Sequence, residues 1–199
     1  MTPTRKFVLG AGALLLPIST VFVLGIGPAS AKSSAQPGTV SCSFTGSFKF
    51  SPPLTAAGGA SSEKITSKTT LTNCVATGGG LTPTKGTTAV TTLDTTNSCT
   101  TVLTGAAKPE TLTTKWSPGT IAPTVVEFPA PKTATGPPIT FSLGGAGTTG
   151  TGSYMGSDKG ASSTAVADIS GTVASITATC ESKKGLKGLT ITGGTAKVG

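Results

Sequence analysis

The chain contains no histidine, and its single arginine is Arg5. Lacking histidine, it has no Ser-His-Asp or Cys-His catalytic arrangement and none of the common histidine metal sites. Lacking arginine beyond position 5, it has no forked clamp for a carboxylate or phosphate. Aromatic residues make up 5% of the chain, with one Trp and one Tyr, so the stacking platforms of single-strand nucleic-acid binders are missing too. No C-x₂-C pair is present, which excludes the usual zinc spacing. Walker and dinucleotide fingerprints are absent. Gly144-Gly145-Ala146-Gly147 lacks a strand–turn–helix setting and reads as a loop. No cofactor, metal or nucleic-acid partner is expected.

Long apolar runs are also missing after residue 27. Before that, Arg5-Lys6 precedes a run from Phe7 to Gly27, followed by Pro28-Ala29-Ser30-Ala31. A short positive segment, an apolar stretch and a small-x-small site are the marks of a secretory signal peptide. The expectation is export with cleavage after Ala31, leaving residues 32–199 as one domain that does not span the membrane. The run is long enough to span a bilayer, and the A-S-A site is what favours cleavage over an uncleaved anchor.

Beyond position 31 there remain 13 lysines and 7 acids, a net charge of +6. The lysines are scattered apart from Lys183, Lys184 and Lys187. Scattered lysine solvates sheet faces and blunts strand edges, and leaves a general attraction to acidic polymers or anionic surfaces. Four cysteines, Cys42, Cys74, Cys99 and Cys180, imply two disulfides in an exported chain, with three possible connectivities. The preferred pairing is Cys42–Cys74 with Cys99–Cys180. It ties the opening strand to the end of the next, and the middle of the chain to its last third.

Short β-branched runs punctuated by Gly and Pro turns point to an all-β fold, an antiparallel β-sandwich of Ig-like or jelly-roll-like type. In SCSFTGSFKF, residues 41–50, Cys42, Phe44, Phe48 and Phe50 share one parity, and Ser41, Ser43, Thr45, Ser47 and Lys49 share the other. A disulfide cysteine belongs inside, so the phenylalanines are expected inside with it. Pro52-Pro53 is expected to end that strand. Further strands are expected near 63–73, with a bulge or end at Cys74, and near 86–93, 110–116, 124–128, 139–143 and 163–169. Cys99–Leu103 is read as a short strand, 129–138 as a connection and 144–152 as a turn. Val173, Ile176 and Cys180 follow helical spacing, and Thr172 can cap, so a short helix is expected near 172–180. Gly193-Gly194 suggests a hairpin between Leu189–Thr192 and Thr195–Val198.

The residues left to carry function are few. Trp116 and Tyr154 are the candidates for stacking on a sugar or binding a partner, although Trp116 shares parity with Leu112 and so also suits a core. A glycosidase needs two carboxylates across one cleft; of the acids, Glu110 and Glu127 flank the Trp116 region. Asp158, in Gly-Ser-Asp-Lys-Gly, fits a turn better than a calcium loop, which needs an array of oxygen ligands. Ser61-Ser62-Glu63-Lys64 matches S-x-x-K only as a string.

The fragments SCSFTGSFKFSPPL, TLTNC, NSC, TTKW, PTVVEF, FSLGG and KKGLKGLTITGG, taken in order, resemble a group of small secreted actinobacterial proteins of unknown function. The resemblance implies the β-sandwich and the disulfides, and carries no activity or site motif. The expected function is therefore a secreted or cell-envelope-associated, non-enzymatic binding or structural domain, with an envelope polymer or extracellular protein as partner. Its alternatives are a carbohydrate-binding module using Trp116 and Tyr154, and a secreted glycoside hydrolase using a carboxylate pair.

Overall fold

The computed structural model describes residues 32–56, 63–94, 98–104 and 109–199. The leader expected at 1–31 and the loop expected at 57–62 lie outside the described residues. In chain order the elements are β1 (Thr39–Leu54), β2 (Glu63–Thr77), β3 (Lys85–Asp94), α1 (Cys99–Thr104), β4 (Glu110–Ser117), β5 (Thr124–Phe128), β6 (Lys132–Ala134), β7 (Ile139–Leu143), β8 (Thr149–Gly152), β9 (Thr164–Ile169), α2 (Val173–Glu181) and β10 (Leu186–Val198). The strands form one sheet in the order β6-β7-β9-β10-β1-β2-β3-β4-β5-β8. Every neighbouring pair is antiparallel.

That order forces the sheet to curl. β5 and β6 stand eight positions apart, about 38 Å in a flat sheet at ~4.8 Å per strand. Yet the chain passes from Phe128 to Lys132, a reach of at most about 14 Å. Likewise β7 and β8 stand eight positions apart, and Leu143 to Thr149 reaches at most about 21 Å. Both crossings close only if the two arms of the sheet face each other. The all-β antiparallel architecture expected from the sequence is present. Its facing layers are the arms of one curled sheet, not two separately hydrogen-bonded sheets.

The long strands tolerate residues that break shorter ones. Pro52 and Pro53 do not end β1, because β2 pairing stops at Ser51↔Lys64 and the register with β10 jumps between Lys49 and Leu54. No ladder bond is asked of either proline. Nor do Gly193 and Gly194 turn a hairpin: β10 runs straight through, with register shifts there against both β1 and β9. A Cβ on Gly194 would lie 2.6 Å from the Phe44 ring and 2.6 Å from the Val166 carbonyl oxygen, so the glycine records close approach, not chain reversal.

The bulge expected at Cys74 is present. Ser41↔Val75 and Ser43↔Thr72 leave Asn73 and Cys74 opposite Cys42 alone. Asn73 takes φ +50°, a left-handed conformation that Asn tolerates well. The extra residue flips the parity, so Leu71 and Cys74 both face inward and Cys74 meets Cys42 in a disulfide.

Three short elements differ from expectation. Cys99–Thr104 is helix α1, because Ser98 and Thr101 cap each other: the Thr101 N–H donates to Ser98 Oγ (3.1 Å) and the Ser98 N–H to Thr101 Oγ1 (2.6 Å). The segment 129–138 contains β6, a three-residue edge strand on β7. The expected turn at 144–152 ends in β8, which covers the open edge of β5. Helix α2 forms with Thr172 as its cap, in a reciprocal pair with Ser175, and buries Ile176 and Cys180. The second disulfide joins Cys99 in α1 to Cys180 in α2. Among the described residues no helix is long and apolar enough to cross a membrane.

Candidate functional site

Alternation along the strands gives the curled sheet an inner face that does not fill. It lines a partly open chamber of about 200 Å³. Its lining changes in chemistry from strand to strand. On one side β1, β7 and β10 contribute Phe44, Phe48, Phe50, Phe141, Leu189 and Ile191. Phe44 and Phe50 are buried, while Phe48 is half-buried with its ring edge-on to Phe141 at 5.9 Å. The aromatic stripe of SCSFTGSFKF thus points inward, and part of it faces the chamber.

Next along the sheet, directly beside the phenylalanines of β1, the lining carries hydroxyls. Along β2, Ile65, Ser67, Thr69 and Leu71 all line the chamber, apolar at the ends and small and polar in the middle. The register then sets Thr69 beside Thr88, Thr88 beside Thr114, and Thr114 beside Thr124, a row of threonines across four strands. Thr88 and Thr114 share a buried hydrogen bond of 2.9 Å. On β9 the inward residues Ala165 and Ala167 are too small to reach across. Ser67, Thr69, Ala165 and Ala167 line the space with small side chains, leaving it unfilled.

Register also defines the two ends. Glu110 to Trp116 spans about 20 Å along β4 at ~3.3 Å per residue. At the Glu110 end stands α1, whose Thr101 and Val102 line the chamber. That helix is held by Cys99–Cys180, by the Cys99 N–H donating to the Thr55 carbonyl (3.3 Å), and by Thr133 Oγ1 donating to the Val102 carbonyl (3.3 Å).

Beyond the lining at the other end lies a hydrogen-bonded cluster. Trp116 and Tyr154 meet edge-to-face at 5.4 Å. The Trp116 indole N–H donates to Thr124 Oγ1 (2.8 Å), which donates to the Ser153 carbonyl (2.8 Å). The Tyr154 hydroxyl donates to the Leu81 carbonyl (2.6 Å), and its N–H to the Gln36 carbonyl (2.8 Å). Tyr154 takes φ +63°, a costly left-handed conformation for a bulky residue, here fixed by those bonds. Burial raises the Tyr154 phenol above its ordinary value near 10.

Trp116 and Tyr154 are therefore brought together, but inside: Trp116 is 5% exposed and Tyr154 0%. Neither offers a face to a sugar from solvent, and the polar edge of each is already committed. Glu110 and Glu127 are not brought together. Glu110 lines the chamber, while Glu127 is exposed next to outward Thr111 in the β4–β5 register. They lie on opposite faces of the sheet and cannot flank one glycosidic bond. Asp158 closes a turn, accepting from the Gly160 N–H (3.1 Å) and from the Ser162 hydroxyl. The Ser162 bond is the main cause holding its carboxyl below the ordinary aspartate range. Among the described residues no group of three or more His, Cys, Asp or Glu could hold a metal. Ser61 and Ser62 lie outside the described residues.

Sequence reasoning passed over Ser67, Thr69, Ala165 and Ala167. The available signal was small residues in phase with Ile65, Leu71 and Ile169 on strands otherwise apolar at that parity. Comparison with protein-family models, curated proteins and solved structures finds no match.

Proposed function

We propose that this domain is an exported, non-enzymatic binding protein whose chamber takes up a small, mainly apolar molecule. The observation that carries this is the chamber itself. Side chains lining an apolar space of about 200 Å³ forgo the contacts that larger neighbours would give them. A core meant only to hold the fold gains by carrying larger residues at 67, 69, 165 and 167. Its size lies between the ~150 Å³ cavity that binds benzene and the ~300 Å³ at which drug-sized pockets begin.

The hydroxyls of Ser67 and Thr69 suit a ligand with one polar group on an otherwise apolar body, such as a fatty acid or alcohol whose chain lies against the phenylalanines. The leader composition, the two disulfides and the resemblance to small secreted actinobacterial proteins support a place outside the cytoplasm. The interior position of Trp116 and Tyr154 and the split of Glu110 from Glu127 leave the carbohydrate and hydrolase readings without a supporting geometry. Titration calorimetry with octanoic acid, an eight-carbon fatty acid, tests the reading. Saturable one-to-one binding is expected; its absence overturns the proposal.

A further inference from the structure

The lysines are not spread evenly over the outside. Lys64, Lys68, Lys49 and Lys187 occupy exposed positions on the three adjacent strands β2, β1 and β10. Lys64 stands opposite Ser51 and Lys68 opposite Ser47, so Lys49, opposite Thr66, is a diagonal neighbour of both. Across β1 the partner of Lys49 is Gly188, and Lys187 is the next residue. Diagonal neighbours lie within about 7–8 Å, close enough for like charges to repel. The sequences of β1 and β10 contain no acid, and Glu63 is the sole acid of β2. Lys183 and Lys184, both exposed, enter β10 from the same end. Of the other strand acids, Asp94 on β3 stands opposite Glu63 at the end of β2, Asp168 lies on β9 beside β10, Glu127 lies on distant β5, and Glu110 on β4 lines the chamber.

Between these lysines stand Ser47, Ser51, Thr66 and Gly188, all small. The face has no aromatic or arginine anchor of the kind that dominates protein–protein contacts. It presents a diffuse positive field on a smooth sheet, which suits a surface of anionic headgroups. Lys49, Lys64 and Lys187 also lie toward the α1 end, where Thr101 and Val102 line the chamber.

We propose that this lysine face docks the protein on an anionic lipid surface, from which the chamber draws its ligand; the second half of this inference rests on the binding function proposed above. The test is co-sedimentation of the mature chain with vesicles of equal parts phosphatidylglycerol and phosphatidylcholine, and with phosphatidylcholine alone. Binding to the first, weakened by salt, and none to the second are expected. The variant Lys49→Gln/Lys64→Gln/Lys187→Gln should bind roughly a hundredfold more weakly, from the attraction of each lysine to such a surface. A control with Lys115→Gln/Lys132→Gln/Lys159→Gln should lose much less. Equal losses in both variants, binding to the neutral vesicles, or capture by alginate but not by vesicles would overturn the docking. Fatty-acid titration without vesicles separates the two readings. If the lysine variant keeps fatty-acid binding and loses vesicle binding, docking stands. If no variant binds fatty acid while vesicle binding persists, the chamber reading fails and the docking surface remains.

Discussion

The two ends of the curled sheet are held by different chemistry. At one end Trp116, Tyr154, Thr124 and Ser153 form a buried network in which the indole N–H, the phenol and the threonine hydroxyl all have partners. Nearby, Ser34 pairs with Ile121 and the Tyr154 N–H bonds to the Gln36 carbonyl, so the opening segment is woven through this end. At the other end a six-residue helix, buried only through Cys99, is pinned by a bond to a residue 81 positions away. So short a helix is unstable alone. One end is held by a network of hydrogen bonds, the other by a disulfide with two hydrogen bonds to backbone carbonyls beside it. Damage to the first should spread through the fold. Damage to the second should loosen the chain as a whole and free α1 in particular.

The largest expected effect comes from that disulfide. In the chain-entropy model, closing 81 residues contributes about 4.5 kcal/mol, against about 3.7 for the 32 residues between Cys42 and Cys74. Urea unfolding of Cys99→Ser/Cys180→Ser should therefore show the greater loss, and its chamber should bind fatty acid more weakly. Equal losses from the two disulfides would blur the contrast between the ends. Next comes Trp116→Ala, which should cost about 3–5 kcal/mol in the same assay, as for other buried aromatics. The folded fraction should keep its affinity for fatty acid, since Trp116 does not line the chamber. A selective loss of binding would return Trp116 to a ligand role.

Tyr154→Phe removes a single hydrogen bond and leaves the Leu81 carbonyl without its donor, a loss of about 1–3 kcal/mol. The same residue sets an alkaline limit. Its folded pKa is raised, so its contribution is whole below the ordinary value near 10 and falls as pH rises through the raised folded value. Melting temperature followed above pH 10 should drop less steeply in Tyr154→Phe than in the parent. The smallest effect belongs to Asp158, outside both ends. Its folded pKa is lowered, so its contribution is present above the unfolded value and disappears as pH falls through the folded one. Asp158→Asn should flatten the acid limb of the melting profile slightly; a steeper acid limb would reverse the sign.

Much of the fold was legible because its signals were local. The parity of Cys42 with Phe44 and Phe50 fixed an inner face, the parity break at Cys74 announced a bulge, and Thr172 marked the start of α2. What escaped depended on partners far along the chain. Pro52-Pro53 and Gly193-Gly194 carry strong local stop signals, overridden because β1 and β10 run beside each other and place both pairs at register shifts. Ser98 and Thr101 made a helix where β-branched residues suggested a strand. The single curled sheet follows from the β5–β6 and β7–β8 crossings, and these have meaning only once the strand order is known. The chamber was hidden for the same reason: Ser67 on β2 and Ala167 on β9 lie three strands apart in the sheet and line one space only when it curls.

The central claim is that this space is built to hold a ligand and is not slack in the core. Ser67→Leu and Ala167→Leu, made singly, test it most directly through melting temperature and fatty-acid titration on the same samples. The account predicts that each added side chain fills the chamber, so melting temperature rises or holds while fatty-acid binding falls at least tenfold. Lower melting temperature with unchanged binding would show that positions 67 and 167 are already tightly packed and that the chamber is not the site.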